Sequence, residues 1–252
     1  MTQEDVHFID KSAESEVGSP AGSAVSVPTL SEPGLLVMDV DSTLIDEEVI
    51  DELGVVAGCG EEIAGVTARA MRGELEFCDA LRARVALLEG LPISVFDTVH
   101  DKLHFTKGAL ELIDTLHEHG WKIGVVSGGF HEVVDMLAPK AISTIGSPTG
   151  LRLPIGCLTG KVLGEIVSKT VKLHALQTWA DRLGIPMSQT VAVGDGANDI
   201  PMIQAAGLGL AFCAKPKTQL AADKAINDRD LTHVLDYLRR NVNYDLGSGT
   251  YS

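Results

Sequence analysis

Short apolar runs alternate along the chain with longer stretches in which apolar residues recur every three or four positions. The runs, each of a length typical of a buried strand, lie at 35–38, 123–126, 190–193 and 208–212. The stretches with helical spacing lie at 107–119, 169–183, 199–206 and 231–239. Helices between short apolar strands predict an α/β fold with a doubly wound parallel sheet and a Rossmann-like core.

A long interruption separates the first strand from the next helical stretch. Residues 46–104 contain no strand-like run, and their apolar residues form helical stripes, for example Phe77, Leu81, Val85 and Leu88. This pattern predicts a small helical cap inserted into a core formed by residues 34–45 and 105–240. Later in the chain, residues 151–167 alternate around a Thr-Gly-Lys turn, which suggests a hairpin.

Both ends of the chain lack periodicity. Residues 1–33 are rich in Ser, Glu, Gly and Pro, and we expect them to form a flexible acidic tail. Residues 241–252 are expected to form a short C-terminal tail. With only 34 residues before the first strand, we do not expect a regulatory domain at the N-terminus.

Composition limits the classes of partner. The 252 residues carry a net charge of -15, which argues against a nucleic-acid-binding or membrane-binding surface. The four cysteines form no CxxC pair, and the chain has neither a signal-peptide pattern nor a long apolar span. We therefore expect a cytoplasmic protein with a small-molecule ligand, either a monomer or a homodimer.

Three polar segments each follow one of the apolar runs. They are Asp39–Thr43, Ser127–Gly129 and Gly194–Asp199. Since the carboxyl ends of parallel strands share one edge of a sheet, these segments are expected to converge on one site.

The first of these segments places two carboxylates two residues apart. Side chains at i and i+2 of a strand point the same way, with Cα atoms roughly 6.5 Å apart, so Asp39 and Asp41 should face one ligand. Two like charges need a cation or a chemical role. If the ligand is a phosphoryl group, Asp39 can attack phosphorus while Asp41 transfers a proton, and a divalent metal offsets the charge.

Each of the other two segments can be interpreted either as a ligand-binding site or as an ordinary structural feature. Ser127-Gly128-Gly129 is either an ordinary turn or an anion cradle at a helix N-terminus. Gly194–Asp199 is a poor dinucleotide loop, because the carboxylate of Asp195 would repel a pyrophosphate. Asp195 and Asp199 suit Mg²⁺, unless they serve only as a helix cap and solvated acids.

Basic residues with a possible anion partner occur at two places. Lys172, in the first turn of a predicted helix, either binds phosphoryl oxygens or is a solvated lysine. In the helical insert, Arg84 lies on the apolar face, where it should bind an anion or pair with an acid of the insert. Periodicity does not distinguish a functional acid among Asp46, Glu47, Glu48, Asp51 and Glu52.

In this order, the segments resemble the haloacid dehalogenase (HAD) superfamily of aspartate-nucleophile phosphatases, and within it the phosphoserine phosphatase family. The resemblance covers residues 35–238. Its strongest strings are MDVDSTLIDEEVIDELG, RAMRGELEFCDALRARVALL, VVSGGF and VAVGDGANDIPMIQAAGLGLAF. It implies a HAD-like core and Mg²⁺-dependent hydrolysis of O-phospho-L-serine, the last step of serine biosynthesis.

The resemblance also implies roles for individual residues. Asp39 would be the nucleophile that becomes an aspartyl phosphate, and Asp41 the general acid and then the base. Mg²⁺ would be held by the side chains of Asp39 and Asp195 and the backbone carbonyl of Asp41, with Asp199 supporting its shell. The phosphoryl group would be bound by Ser127, Gly128, Lys172 and Asn198. In the cap, Glu48 would take the substrate ammonium, Arg84 its carboxylate, and Phe77 would line the wall.

Three alternatives remain open at this stage. The same chemistry could serve another small phosphoester, or transfer the phosphoryl group from phosphoserine to homoserine. A non-catalytic phosphoacceptor would keep its aspartyl phosphate and would need neither Glu48 nor Arg84. Dinucleotide binding is the third, and Asp195 disfavours it.

Overall fold

A sheet of five parallel strands forms the centre of the computed structural model, which describes residues 27–130, 132–134, 136–137, 156–162 and 166–239. The strands are β1 (Leu35–Met38), β2 (Lys122–Val125), β3 (Thr190–Gly194), β4 (Leu208–Phe212) and β5 (Lys224–Ile226). Their order is β2-β1-β3-β4-β5, and all four pairings are parallel. The predicted parallel α/β sheet is confirmed. The sequence pattern missed β5, because its 3 residues are too few to display a period.

Helices surround this sheet. They are α1 (Val49–Ala57), α2 (Gly60–Met71), α3 (Phe77–Ala86), α4 (Val95–His100), α5 (Ala109–Glu118), α6 (Lys169–Leu183), α7 (Ile200–Ala205), α8 (Pro216–Ala221) and α9 (His233–Arg239). Residues 132–134 and 136–137 are also helical. Among the described residues, no helix is both long enough and apolar enough to cross a bilayer.

Alternation along β1 explains why both faces of the sheet are covered. Leu36 and Met38 belong to a buried cluster with residues of α5 and α9, whereas Leu35 and Val37 belong to a second cluster with residues of α6 and α7. Successive side chains of a strand point to opposite faces, so a strand buried on both sides must be apolar throughout. The sheet is therefore doubly wound, as its sequence predicts.

Helices α1–α4 occupy the stretch of chain between β1 and α5. Helix α1 packs on α2 and α4, and α2 packs on α3. Their buried residues, including Leu53 and Ile63, continue into the same cluster as Leu36. The described helices agree with the helical pattern of residues 46–104, while their assignment as a separate cap stays a prediction.

The chain enters and leaves this helical stretch through two adjacent segments, 44–46 and 104–106, which we call the crossing pair. Ile45 and Phe105 form an antiparallel bridge. Around it, Asp46 N donates to His104 O (3.0 Å), and Thr106 N donates to Leu44 O (3.0 Å). The position of α1 is consequently linked to that of the segment leading into α5.

Part of the segment predicted as an N-terminal tail is anchored. The Gln189 side chain accepts from Thr29 N (3.1 Å) and donates to Thr29 O (2.6 Å) and Glu32 O (2.9 Å), and Leu30 is buried. The described end of this segment is therefore part of the folded body. Residues 1–26 and the predicted tail 241–252 lie outside the described residues.

Within residues 151–167, predicted as a hairpin, the described part pairs with another segment of the chain. Cys157 bridges Pro92, and Leu158 exchanges backbone hydrogen bonds with Gly90 and Leu91. The described part thus pairs with the connection between α3 and α4. Residues 151–155 and 163–165 lie outside the described residues.

A close approach at Gly209 places α7 against β4. A Cβ atom built on Gly209 would lie 2.2 Å from the Ile203 carbonyl oxygen of α7. Only glycine permits this contact without moving the helix. Because Asp199 immediately precedes α7, the contact also holds Asp199 at the carboxyl edge of the sheet.

We expect Gly209→Ala to destabilise the fold by about 1–3 kcal/mol, the cost typical of overpacking a core. Gly65→Ala is the matched control. Gly65 lies in α2, and a Cβ there would meet nothing within 4 Å. The control should be neutral or stabilising by up to about 1 kcal/mol, because alanine favours helix. Urea unfolding followed by tryptophan fluorescence measures both values, and equal stabilities would contradict the packing argument.

Candidate active site

Three polar segments meet at the carboxyl edge of the sheet. Asp39 directly follows β1, and its backbone N–H donates to Val193 O in β3 (3.0 Å). Ser127 follows β2, and Asp195 directly follows β3. Since β1 lies between β2 and β3, the sheet brings residues far apart in sequence to one place.

The turn after β1 differs from the extended strand expected for Asp39 and Asp41. The strand ends at Met38, and Val40–Leu44 forms a tight turn with Ser42 at φ 55 and ψ 9. Strand alternation therefore does not orient the two carboxylates. Asp41 faces the site because of its hydrogen bonds, described below.

Lys172 connects two buried carboxylates. Its Nζ lies 2.7 Å from Oδ1 of Asp39 and 2.7 Å from Oδ1 of Asp199. The side chains of Lys172 and Asp199 are fully buried. Burial alone would lower the pKa of Lys172, but the negative charges of Asp199 and Asp39 raise it above its ordinary value. Lys172 therefore keeps its positive charge, and its contacts with the two carboxylates compensate for the unfavourable position of a cation in the first turn of α6.

Three acids form a group that fits a divalent cation. Oxygens of Asp39, Asp195 and Asp199 lie within 4.8 Å of one another. Asp199 is oriented by the backbone N–H of Gly196, which donates to its Oδ2 (2.9 Å). A set of carboxylate oxygens is the donor set that hard divalent cations prefer.

The pKa values at this group indicate uncompensated negative charge. Burial, followed by the charge of Asp199, raises the pKa of Asp39 well above its ordinary value. The same two causes, in the same order, raise the pKa of Asp195 to about 6. One ammonium does not balance these carboxylates, so a divalent cation would be bound favourably here.

Asp41 is held by donors from both sides. Its Oδ1 accepts from Val49 N (2.9 Å) at the start of α1, and its Oδ2 accepts from Ser127 Oγ (3.1 Å). Ser127 Oγ in turn accepts from Gly129 N (2.8 Å). Burial raises the pKa of Asp41, and the two hydrogen bonds only partly oppose it. A carboxyl group that holds its proton more tightly than usual suits general acid catalysis.

Glu48 precedes α1 and faces the same edge of the sheet. Ser42 Oγ donates to its Oε1 (2.8 Å). Although Glu48 as a whole residue is exposed, the removal of its carboxyl group from water raises the pKa of Glu48 to about 7, and the charge of Asp41 adds to this effect. A cationic group bound nearby would restore its ionised form.

Phe77 and Arg84 lie on α3. A Cβ built on Gly128 would lie 3.1 Å from Cζ of Phe77, so the aromatic ring lies directly over the glycine turn after β2. Arg84 is half-buried and donates from Nε to Ala80 O (3.4 Å). Within the described part of the chain it forms no ion pair, whereas the exposed Arg82 pairs with Asp79 (3.1 Å).

Asn198 lies in the turn between β3 and α7. A Cβ on Gly196 would come within 2.3 Å of Oδ1 of Asn198, so the glycine makes room for the amide. The residues predicted for the site thus lie on the turns after β1, β2 and β3, at the start of α6, or on the helical stretch. The proximity of Phe77 to Gly128 connects that helical stretch to the sheet edge.

Three residues at the site have roles that the sequence did not assign, although Ser42 and Gly129 lie within two of the predicted segments. Ser42 holds Glu48, Gly129 orients Ser127, and Arg229 contacts Asp46 (2.5 Å). A left-handed backbone at a serine has no reliable sequence signal. Arg229 and Asp46 are 183 residues apart, so no local pattern could pair them.

Comparison with known proteins agrees with this arrangement. Residues 34–207 match the haloacid dehalogenase-like hydrolase family. A phosphoserine phosphatase from Streptococcus thermophilus is 56% identical over 205 residues, covering 81% of this chain and 95% of the relative.

Two solved structures share the fold. One is a substrate-bound phosphoserine phosphatase complex, with TM-score 0.77 and 40% identity, covering 82% of this chain and 99% of the other. The second is a phospho-aspartyl intermediate analogue of phosphoserine phosphatase, with TM-score 0.77 and 40% identity, covering 82% and 100%. The chain therefore belongs to the haloacid dehalogenase-like hydrolase family, and within that family it groups with phosphoserine phosphatases.

Proposed function

We propose that this protein is a phosphoserine phosphatase, which hydrolyses O-phospho-L-serine to L-serine and inorganic phosphate. The observation that carries the proposal is the position of Asp39 at the sheet edge, in contact with Lys172 (2.7 Å) and close to Asp41, the candidate for proton transfer. The relative from Streptococcus thermophilus carries this name, and it matches 81% of the chain. The reaction would be the last step of serine biosynthesis.

In the first half-reaction, Asp39 attacks the phosphorus atom of the substrate. Val40 N and Lys172 Nζ both contact Oδ1 of Asp39, and no described residue donates to Oδ2, which leaves that oxygen as the nucleophile. A bond forms between Oδ2 and phosphorus while the bond to the serine oxygen breaks. Asp41 gives its proton to the leaving oxygen.

In the second half-reaction, the aspartyl phosphate is hydrolysed. Asp41, now ionised, accepts a proton from a water molecule, and the water oxygen attacks phosphorus. The bond to Asp39 breaks, and inorganic phosphate leaves. One pair of carboxylates serves both halves, and a phospho-aspartyl analogue has been captured in a phosphoserine phosphatase with the same fold.

The metal is proposed to be Mg²⁺. Its ligands would be the side chains of Asp39 and Asp195 and the backbone carbonyl of Asp41, with Asp199 supporting them. The bound cation would neutralise negative charge where the nucleophile and the phosphoryl group meet. Oxygen-only donors favour Mg²⁺ over softer metals.

Binding of the phosphoryl group is assigned to the cationic and donor groups at the sheet edge. They are Ser127, Gly128, Lys172 and Asn198. Ser127 and Gly128 follow β2, in the turn that precedes the helical residues 132–134. Lys172 contributes the permanent positive charge.

The amino-acid part of the substrate is assigned to the helical stretch. Glu48 would bind the ammonium, since its pKa near 7 lets a cation favour its ionised form. Arg84 would bind the carboxylate, since it has no acid partner among the described residues. Phe77 would cover the phosphoryl site, and residues 46–104 would act as a cap that excludes water.

The surroundings proposed for the enzyme follow from its chemistry. Its partner is a small molecule, and its oligomeric state is taken as monomer or homodimer. A cytoplasmic location is supported by the four free cysteines, Cys59, Cys78, Cys157 and Cys213.

Replacing the nucleophile tests the mechanism. We expect Asp39→Asn to lower kcat for phosphoserine by about 10⁴-fold or more, because the amide cannot form the phosphoenzyme. The variant should fold, since Asp199 still pairs with Lys172. Phosphate release measures the rate, and circular dichroism checks the fold. Measurable steady-state turnover by a folded Asp39→Asn variant would refute the nucleophile assignment.

A crossed pair of substrate analogues tests the amino-acid site. 3-Phosphoglycerate replaces the ammonium of phosphoserine with a hydroxyl group, and O-phosphoethanolamine lacks its carboxylate. Glu48→Gln should lower kcat/KM for phosphoserine by about 10–100-fold, the value of a charge-assisted hydrogen bond, and should leave 3-phosphoglycerate nearly unchanged.

Arg84→Ala should show the complementary pattern. It should lower kcat/KM for phosphoserine by about 10–100-fold and leave kcat/KM for O-phosphoethanolamine nearly unchanged. Arg82→Ala, on the exposed side of the same helix, is the control. Steady-state kinetics on the three compounds gives all the ratios, and equal losses on every compound would argue against these assignments.

Asp195 tests the metal assignment. Asp195→Asn should raise the Mg²⁺ concentration for half-maximal rate by roughly tenfold or more, because one charged ligand is lost. Calorimetric titration of Mg²⁺ should show the same weakening. Asp181→Asn, at the far end of α6, is the control for a lost surface charge. An unchanged Mg²⁺ requirement in Asp195→Asn would contradict the ligand set.

A further inference from the structure

Arg229 joins the loop after β5 to the segment that leads into α1. Its Nε contacts Oδ1 of Asp46 (2.5 Å). Its Nη2 donates to Ile45 O (3.3 Å) and Asp46 O (3.2 Å), and its Nη1 is 3.4 Å from Ser42 O. One guanidinium thus contacts one carboxylate and three backbone carbonyl oxygens in the segment between Asp41 and Glu48.

The guanidinium of Arg229 also contacts an aromatic ring of the sheet. Its Cζ lies 5.9 Å from the centre of the Phe212 ring, and Phe212 is fully buried at the end of β4. A cation over an aromatic face is attracted to it. Arg229 is therefore positioned by the sheet and not only by the loop that carries it.

Asp46 carries this restraint to both members of the crossing pair. The Oδ1 atom that binds Arg229 also accepts from Thr106 Oγ1 (3.3 Å) on the second member. Next to it, Glu47 accepts from His104 N (2.9 Å) and contacts His104 Nδ1 (2.7 Å). The polar contacts of Asp46 and Glu47 leave Glu48, the following residue, little freedom to move.

We propose that Arg229 is a positioning residue for substrate selection. Through Asp46 it holds the crossing pair against the sheet, and it thereby fixes Glu48 at the distance that an ammonium group requires. The inference rests on the proposed function, since it depends on Glu48 binding the substrate amine. Arg229 touches neither Asp39 nor the other acids of the metal group, so its effect should concern substrate choice and not the chemical step.

The test compares phosphoserine with p-nitrophenyl phosphate, which has no ammonium for Glu48. Arg229→Gln should raise KM for phosphoserine by about 5–20-fold, the effect of losing a charge-assisted contact. For the same variant, kcat for phosphoserine and kcat/KM for p-nitrophenyl phosphate should both stay within about twofold of the wild-type values. Arg182→Gln, an exposed arginine in the last turn of α6, is the matched control and should change neither substrate.

Two further variants separate positioning from stability. Arg229→Lys keeps the positive charge but lacks the planar guanidinium. Its KM for phosphoserine should therefore lie between those of the wild type and Arg229→Gln. Asp46→Asn should reproduce the Arg229→Gln pattern, and the double variant should be no worse than either single one, because both act through one contact. Thermal unfolding of each variant confirms that the folded enzyme is being measured.

Two results would overturn the inference. One is a phosphoserine KM in Arg229→Gln equal to that of the wild type. The other is an equal loss on both substrates, which would indicate a purely structural role. Failure of the proposed function would appear elsewhere, as a wild-type enzyme with no preference for phosphoserine over p-nitrophenyl phosphate.

Discussion

The contact of the Lys172 ammonium with Asp39 and Asp199 is the interaction on which the rest of the site depends. Moving a lysine out of water is costly, and two carboxylates at 2.7 Å repay that cost. Removing Lys172 would leave two buried carboxylates without their cation, which is more damaging than the loss of an ordinary surface pair. The three groups come from β1, α6 and the turn before α7, so the fold must be complete for the contact to exist.

The same contact leaves the site with excess negative charge. Asp39 has a raised pKa despite its bond to Lys172, and that of Asp195 reaches about 6. A divalent cation bound at these acids would offset the excess negative charge that disfavours an anionic phosphoryl group. Burial is also the main cause of the raised pKa of Asp41, but there it is opposed by hydrogen bonds from Val49 and Ser127. The two aspartates differ in environment, since Asp39 contacts Lys172 whereas Asp41 accepts from Val49 and Ser127, and this difference suits their proposed roles as nucleophile and proton donor.

The sequence predicts those parts of the molecule whose cause is local or topological. Apolar runs give β1 to β4, and the rule that ligands bind at the carboxyl ends of parallel strands brings Asp39, Ser127 and Asp195 together. Prediction from the sequence fails where a structural feature depends on a contact between distant residues. Strand alternation gave the wrong reason for the orientation of Asp41, which depends on Val49 and Ser127. The anchoring of residues 29–32 by Gln189 has no periodic signal at all.

The hydrogen bond from Val49 to Asp41 couples proton transfer to the position of α1. Asp41 serves as the acceptor for the first N–H of the helix, although it is also the proposed acid and base. Ionised Asp41 favours the helix N-terminus, and protonated Asp41 favours it less. Ser42 extends this coupling to Glu48, which precedes the same helix. In the proposed mechanism, the substrate amine and the transferred proton would therefore both act on the turn between Asp41 and Val49. For that reason a residue such as Arg229, which restrains this turn from the sheet, is well placed to influence which phosphoester is accepted.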